Sequence, residues 1–285
     1  MKIVRSSFTR IALLPTLLLA LFGTATARAE SPPTTATPTP ADLVAKTIEA
    51  GGGREKALAV KSLSMKATMT LAAQNLAGSV EMLRKNDKAL ILIEMPGVGL
   101  MRYGIEGKLA YEQSDLMGVR LLAEAEKKQL TDGLDPQSQL DRLMKLTNPV
   151  VSGPEQIGGA TAWKLTGKTD TGDPESHWID TTSNQTVRSS IVIASVMGKM
   201  NATLDFADFK LVDGMTIPMT IKQSMGPMSA VITIKEIAIN PEIDDEKFVL
   251  PDEVKKLAAA QDAKPSTQPG AASGTQPPTG AGGQR

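Results

Sequence analysis

The chain has 285 residues, with 31 Lys and Arg against 31 Asp and Glu, one His, no Cys, fourteen Met and few aromatics. Without cysteine there is no disulfide framework, thiolate zinc site, iron–sulfur cluster or cysteine nucleophile, and one imidazole cannot build a multi-His metal site. A neutral balance lacks the basic footprint that nucleic acid requires.

The N-terminus reads as a removable segment. Lys2, Arg5 and Arg10 precede an apolar run from Ile11 to Gly23, and Ala27-Arg28-Ala29 follows as a small-x-small cleavage site. This is the three-part grammar of a secretory signal peptide over residues 1–29. The run is shorter than the roughly 20 residues a membrane-spanning helix needs. No Cys follows it to carry a lipid anchor, so the expected location is the periplasm or the exterior. The segment holds four basic residues and no acid, so the mature chain would carry 27 basic residues against 31 acidic, a net charge of −4. Residues 30–40, with four prolines, form an extended spacer. Residues 261–285 are rich in Pro, Gly, Ser, Thr and Gln and have too little apolar surface to order themselves. Residues 41–260 are left as one domain with a real core.

That domain opens with a helix capped by Thr39-Pro40, with Leu43, Val44 and Ile48 on one face, ended by Gly51-Gly52-Gly53 and followed by a short helix over 54–60. The period then changes from 3.6 to 2. Leu63, Met65, Ala67, Met69 and Leu71 alternate with polar residues from Ser62 to Ala72, a half-buried strand. Strands follow over 76–84, 89–95, 100–105 and 109–113, joined by short turns. Two helices interrupt them. One covers 123–130, and the other starts at Asp135-Pro136, carries Leu140, Leu143 and Met144, and is closed by Pro149. Strands resume over 161–167, 176–180, 186–194, 200–210, 215–223 and 229–237, and Asn240 to Pro251 docks Phe248 and Leu250.

About ten or eleven strands without a βαβ pattern make a mainly β, antiparallel protein with a few helices. A sheet of that size curls as twist accumulates. The expected architecture is a strongly curved antiparallel sheet, an incomplete barrel whose apolar concave face is plugged by the first helix and by a helical lid from the 123–147 region. Alternation places Met65, Met69, Met82, Met101, Tyr103, Met200, Leu204, Phe206, Met215, Met219, Ile221, Ile232 and Ile234 on that face. Methionine suits surfaces that accept varied apolar shapes, and it equally fills a core poor in aromatics.

Several passages resemble the outer-membrane lipoprotein-sorting proteins, periplasmic lipoprotein carriers with a LolA-like fold. They are the strand opening Val212-Asp213-Gly214-Met215-Thr216-Ile217-Pro218-Met219, the closing segment Ile239-Asn240-Pro241-Glu242-Ile243-Asp244-Asp245-Glu246-Lys247-Phe248, and His177-Trp178-Ile179-Asp180 followed by Val187-Arg188. The opening, Ile48 to Gly52 with Ala57-Leu58 and Ser62-Leu63, is similar too. The resemblance implies an open barrel with a helical lid over an interior that binds acyl chains, and donor and acceptor proteins at membranes. This chain departs from the carriers in offering Met, Leu and Ile where they have aromatics. Arg102 and Arg120 are candidates for the polar contacts that hold such a lid closed, or ordinary surface arginines.

Enzymatic signatures are sparse. His177 is the one available base, and no Gly-x-Ser-x-Gly accompanies it, so a surface or strand histidine is the expected reading. Asp170-Thr171-Gly172-Asp173 lacks the spaced ligands of a calcium loop and reads as a hairpin turn. Gly97-Val98-Gly99 and Gly51-Gly52-Gly53 lack the rest of a nucleotide motif. The expectation is therefore a monomeric, non-enzymatic carrier of a lipid or of lipoprotein acyl chains, without cofactor, metal or nucleic acid. The alternative is a sensor or adaptor of the same fold with a filled core that binds a protein partner. An unidentified hydrolase is a third reading.

Overall fold

Strands dominate because alternation dominates the sequence. The computed structural model describes residues 36–195 and 198–262, and the signal segment and most of the C-terminal tail lie outside them. Helices α1 (Pro40–Ala50) and α2 (Arg54–Ala59) are followed by strands β1 (Ser62–Leu71), β2 (Leu76–Lys85), β3 (Lys88–Met95), β4 (Gly99–Glu106), β5 (Leu109–Ser114) and β6 (Gly118–Leu121). Helices α3 (Glu124–Leu134) and α4 (Pro136–Met144) come next. The chain then makes β7 (Thr147–Ile157), β8 (Ala160–Lys168), β9 (Pro174–Asp180), β10 (Thr186–Ser195), β11 (Gly198–Val212), β12 (Met215–Met225) and β13 (Met228–Ile239), and ends in helix α5 (Asp252–Asp262).

All thirteen strands form one antiparallel sheet in the order β6-β5-β4-β3-β2-β1-β13-β12-β11-β10-β9-β8-β7. Strands consecutive in sequence pair with each other everywhere but between β6 and β7, and one further pairing joins the first strand to the last. β1 meets β13, and β6 and β7 are the two edges, unpaired with each other. The sheet is therefore open and curved, and α3 and α4 are the crossover from one edge to the other.

Cross-strand partners share a face. One face, here called inner, carries the helices. Leu43 and Val44 of α1 pack with Leu146, Trp163, Leu165 and Ile179, joined by Leu143 of α4. Leu130 and Leu134 of α3 lie against Ala89, Ile105 and Ala110. On the outer face Leu83 and Leu90 are covered by Ile243 and Phe248 of the closing segment.

Four sequence expectations are corrected. The described residues form thirteen strands, not ten or eleven. β6 is only four residues, too short to show a period, and β7 was hidden by Pro149 and Pro154. Pro149 does not close α4, which ends at Met144; it lies within β7, where an edge strand tolerates proline because one side of its backbone is unpaired. The helix expected over 123–130 runs on to Leu134. The closing segment is followed by α5, whose Val254 is fully buried and which packs on β6, covering that edge.

Candidate functional site

The inner face is where the sequence-predicted lining residues meet. Met65 of β1 stands opposite Met82 of β2 and Ile237 of β13, and Met82 stands opposite Ile91, itself opposite Tyr103. Met101 faces Ile93. On the other side Met69 faces Ile232, which faces Ile221, which faces Phe206. Ala67, Val80, Met219 and Ile234 form the buried centre, with Met65, Met69, Ile91, Ile93, Ile232 and Ile237 around them. Met82, Met219 and Ile234 are buried, and the remaining predicted lining residues are partly exposed. Leu204 stands opposite Gln223, and Met200 opposite Ile193 near the β10–β11 end. Met215 stands apart, at the opposite end of the sheet, where Thr216 N–H donates to Gly51 of the α1–α2 turn.

At β5 this row becomes charged. Tyr103, Glu112 and Arg120 are successive cross-strand partners. Tyr103 Oη donates to Glu112 Oε1 at 3.2 Å, and Arg120 Nε donates to Glu112 Oε2 at 2.7 Å. Both Arg120 terminal nitrogens donate to the carboxylate of Glu126 on α3 at 2.9 Å. Glu126 also accepts the N–H of Ala123 at 3.0 Å, so the side chain that supports the helix start is the one that ties the helix to the sheet. Hydrogen bonding from Arg120 holds Glu126 below the ordinary glutamate pKa, and Arg120 is correspondingly raised. Burial, reinforced by Glu112, pushes the Tyr103 phenol up to about 12. Arg120 is thus the lid contact, of the two arginines considered. Arg102 lies one position off the inner row and makes no lid contact, and its Nε is buried without a hydrogen-bond partner.

Helix α4 is tied to a second polar chain. Arg142 Nε donates to Glu175 Oε2 at 2.7 Å. Glu175 Oε1 lies 2.8 Å from His177 Nε2, and His177 Nδ1 lies 2.9 Å from Ser189 Oγ. Glu175, His177 and Ser189 are all buried. Burial alone would raise the Glu175 pKa, but hydrogen bonds and charge from His177 and Arg142 outweigh it and leave it lowered. Asp135 caps α4 through the N–H of Ser138 at 3.0 Å and accepts from Arg84 of β2 at 2.8 Å. Gln129 of α3 accepts the N–H of Ala194 at 2.7 Å.

No residue of α3 or α4 is fully buried. Leu143 packs on the Trp163 cluster and Leu140 is half-buried, whereas Met144 is exposed and takes a hydrogen bond from Arg54 instead of lining the interior. The lid is therefore fastened by ion pairs at its margins and by partial apolar contact. Between α3, α4, the β8–β9 turn and the end of β10 lies a cavity of about 270 Å³ lined by charged residues including Lys128, Asp132, Arg142 and Lys199, and none of the predicted lining residues borders it.

Sequence reading missed Glu126, Arg142, Glu175 and Ser189. Glu175 and His177 carried a usable signal, two polar residues on the same side of a strand whose next inward residue is Ile179. Their partners on β10 and α4 left none.

No family model matches this chain, and no curated protein matches it. Among solved structures it is similar to a DUF1329 family protein from Desulfovibrio piger, at 14% identity over 74% of this chain and 95% of that one, with a TM-score of 0.50. A LolA superfamily protein from Nitrosomonas europaea gives 14% identity, coverage of 75% and 98%, and a TM-score of 0.48. A protein from Vibrio parahaemolyticus described as an outer membrane lipoprotein-sorting domain gives 12% identity, coverage of 72% and 97%, and a TM-score of 0.45. At 14% identity, the likeness to the Desulfovibrio piger protein is one of fold alone.

Proposed function

We propose that the chain is an exported, non-enzymatic binder of a lipid or of lipoprotein acyl chains, which lie on the inner face beneath α3 and α4. One observation carries this reading. The apolar inner face runs without interruption from β4 to β11, yet most of its side chains, Met65, Met69, Met101, Phe206, Ile221 and Ile232 among them, remain partly exposed. A filled core would have buried them.

Magnitudes support entry of a chain. Burying an acyl chain of roughly fifteen methylenes at about 0.8 kcal/mol each gives about 12 kcal/mol before the entropy of association. Partly exposed ion pairs like Arg120–Glu126 contribute about 0.2–1 kcal/mol each. A long chain can therefore displace the lid, and a short one cannot offset the cost of association.

Ser189, His177 and Glu175 are the residue types of a hydrolytic triad, but their setting argues for structure. Ser189 lies inside β10, paired to Leu204 on one side and His177 on the other, so no pair of free amides stands near its Oγ to stabilise an oxyanion. The network positions Arg142, and through it α4.

Displacement of a fluorescent fatty acid tests the proposal. Met69→Glu, on a partly exposed site where the carboxylate can still reach water, should weaken binding by about tenfold or more with little change in melting temperature. Wild-type affinity in that variant would contradict the assignment of the face. No ester hydrolysis is expected from the wild type.

A further inference from the structure

The charged cavity beside the lid exists because β9 stops short. β9 begins at Pro174, which has no N–H to give a ladder, and the pairing of β9 with β10 ends at Ser176 and Ser190. β10 runs on to Ser195 without that neighbour, and the N–H of its Ala194 is taken by Gln129 of α3 at 2.7 Å. The gap so opened, between α3, α4 and the β8–β9 turn, is the cavity of about 270 Å³. It lies at the end of the apolar inner row. Ile193, the cross-strand partner of Met200, sits in the chain between Val192 and Ala194, and both of these line the cavity.

Four cations and four aspartates line this cavity. Three of each neutralise one another: Lys128 with Asp132 at 2.5 Å, Lys145 with Asp141 at 3.1 Å and Lys199 with Asp173 at 2.7 Å. Arg142 and Asp170 are left. Arg142 Nε is held by Glu175, which is itself fixed by His177. The two terminal nitrogens of Arg142 take no acceptor among the described residues, and they are not buried. The end of this guanidinium is therefore a free fork at a fixed place, the geometry that grips two oxygens of one anion. Asp170 is exposed in the β8–β9 turn. That turn closes around it, Thr169 Oγ accepting the N–H of Asp173 at 3.1 Å and Thr171 Oγ donating to Asp173 at 2.8 Å. The Asp170 carboxylate accepts no hydrogen bond among the described residues and acts on Lys128 through its charge alone.

We propose that the cavity holds the head group of an ethanolamine phospholipid, its phosphate on the Arg142 fork and its ammonium on Asp170. A free cation and a free anion in an otherwise neutralised cavity select a ligand that carries both signs. An anion alone would face Asp170, and a cation alone would face Arg142. A phosphodiester offers the two equivalent oxygens that the fork takes. A carboxylate offers them too, and the place of the cavity decides between the two: a head group held there lets its acyl chain run along the inner row from Met200 and Ile193. The choice of a lipid over a small free zwitterion therefore rests on the inner-face reading, whereas the zwitterion site itself does not.

Glycerophosphoethanolamine, the head group without acyl chains, tests the site by itself. Titrated into the full protein and followed by amide NMR, it should shift the resonances of Lys128, Arg142 and residues 169–173. Glycerophosphoglycerol, a diester without the ammonium, should bind about tenfold more weakly. Asp170→Asn, at an exposed position with no hydrogen bond to lose, should lower the first affinity by about tenfold and leave the second no weaker. Arg142→Lys, which keeps the charge but not the fork, should weaken both. Lysophosphatidylethanolamine then tests the lipid. It should displace the fluorescent fatty acid from the wild type, and do so about tenfold less well from Asp170→Asn, whose affinity for the fatty acid itself is unchanged. No shift at these residues with glycerophosphoethanolamine at about 50 mM, equal affinity for the two diesters, or an Asp170→Asn variant that binds like wild type would each overturn the site. Glycerophosphoethanolamine bound there, with lysophosphatidylethanolamine indifferent to Asp170→Asn, would overturn the assignment to a lipid. A wild type that binds glycerophosphoethanolamine but no fatty acid would overturn that assignment together with the inner-face reading.

Discussion

Gly104 shows how a single missing Cβ shapes this sheet. Its cross-strand partner Tyr111 lays its ring over the glycine and is almost fully buried, and a Cβ at 104 would stand 2.2 Å from the ring. Gly104→Ala should therefore destabilise the protein by about 2 kcal/mol or more, read from denaturant unfolding, because the buried ring would have to leave its place over residue 104. The same two strands hold both tyrosines of the chain, Tyr103 and Tyr111, and burial is the first cause of the raised pKa of each. The sign follows directly. The neutral phenol is favoured in the folded state, so this contribution is complete below the ordinary value of about 10 and fades as pH rises through the folded values. Ultraviolet titration of native protein should show little phenolate at pH 10, and denatured protein about half. Gly104 and Tyr111 were visible in the sequence, but nothing local told that they face each other, because register emerges only when strands pair.

At the scale of elements, the lid is a helix pair attached by charge. Glu126 and Glu175 have lowered pKa values, so their contribution is present above the ordinary glutamate value of about 4.3 and is lost as pH falls through their folded values. Hydrogen exchange in α3 and α4 should be unchanged between pH 7 and pH 5.5, once corrected for intrinsic rates, and should accelerate below about pH 4. Arg120→Ala should cost about 1 kcal/mol, discounted for its exposure, and should accelerate exchange in α3 more than in β1, β2 and β13. If Glu126→Gln and Arg120→Ala give strictly additive losses, the two residues do not act as a pair. The alternation of β1 and β12 and the Asp135-Pro136 start of α4 were legible because each signal is contained in one element. α5 was not, because Asp252 to Asp262 offers only Val254 and Leu257 as large apolar residues, too few to show a helical face. β7 was hidden because Gly153 and prolines 149 and 154 are rules broken at an edge.

At the scale of the whole molecule, the chain lays down six strands outward from β1, crosses the sheet by α3 and α4, and returns through seven strands to pair β13 with β1. That order makes the crossover helices a cover over the inner face by topology, and it places the most central apolar residues on the first and last strands. Fold class and the inner-face residues were legible because alternation with period two survives in nearly every strand. The fastenings were not, since Arg84–Asp135, Arg120–Glu112 and the Ser189–His177–Glu175–Arg142 network join segments that no spacing rule connects. The central claim is that an acyl chain lies along that inner face. A fatty acid with a photoreactive group at the end of its chain, bound to the full protein, illuminated and mapped by peptide mass spectrometry, tests it most directly. The account predicts crosslinks on β1, β2, β12 and β13 at or beside Met65, Met69, Met82, Ile221 and Ile232, diminished in Met69→Glu. Crosslinks confined to the outer face or the hairpin tips, or none at saturating ligand, would contradict it.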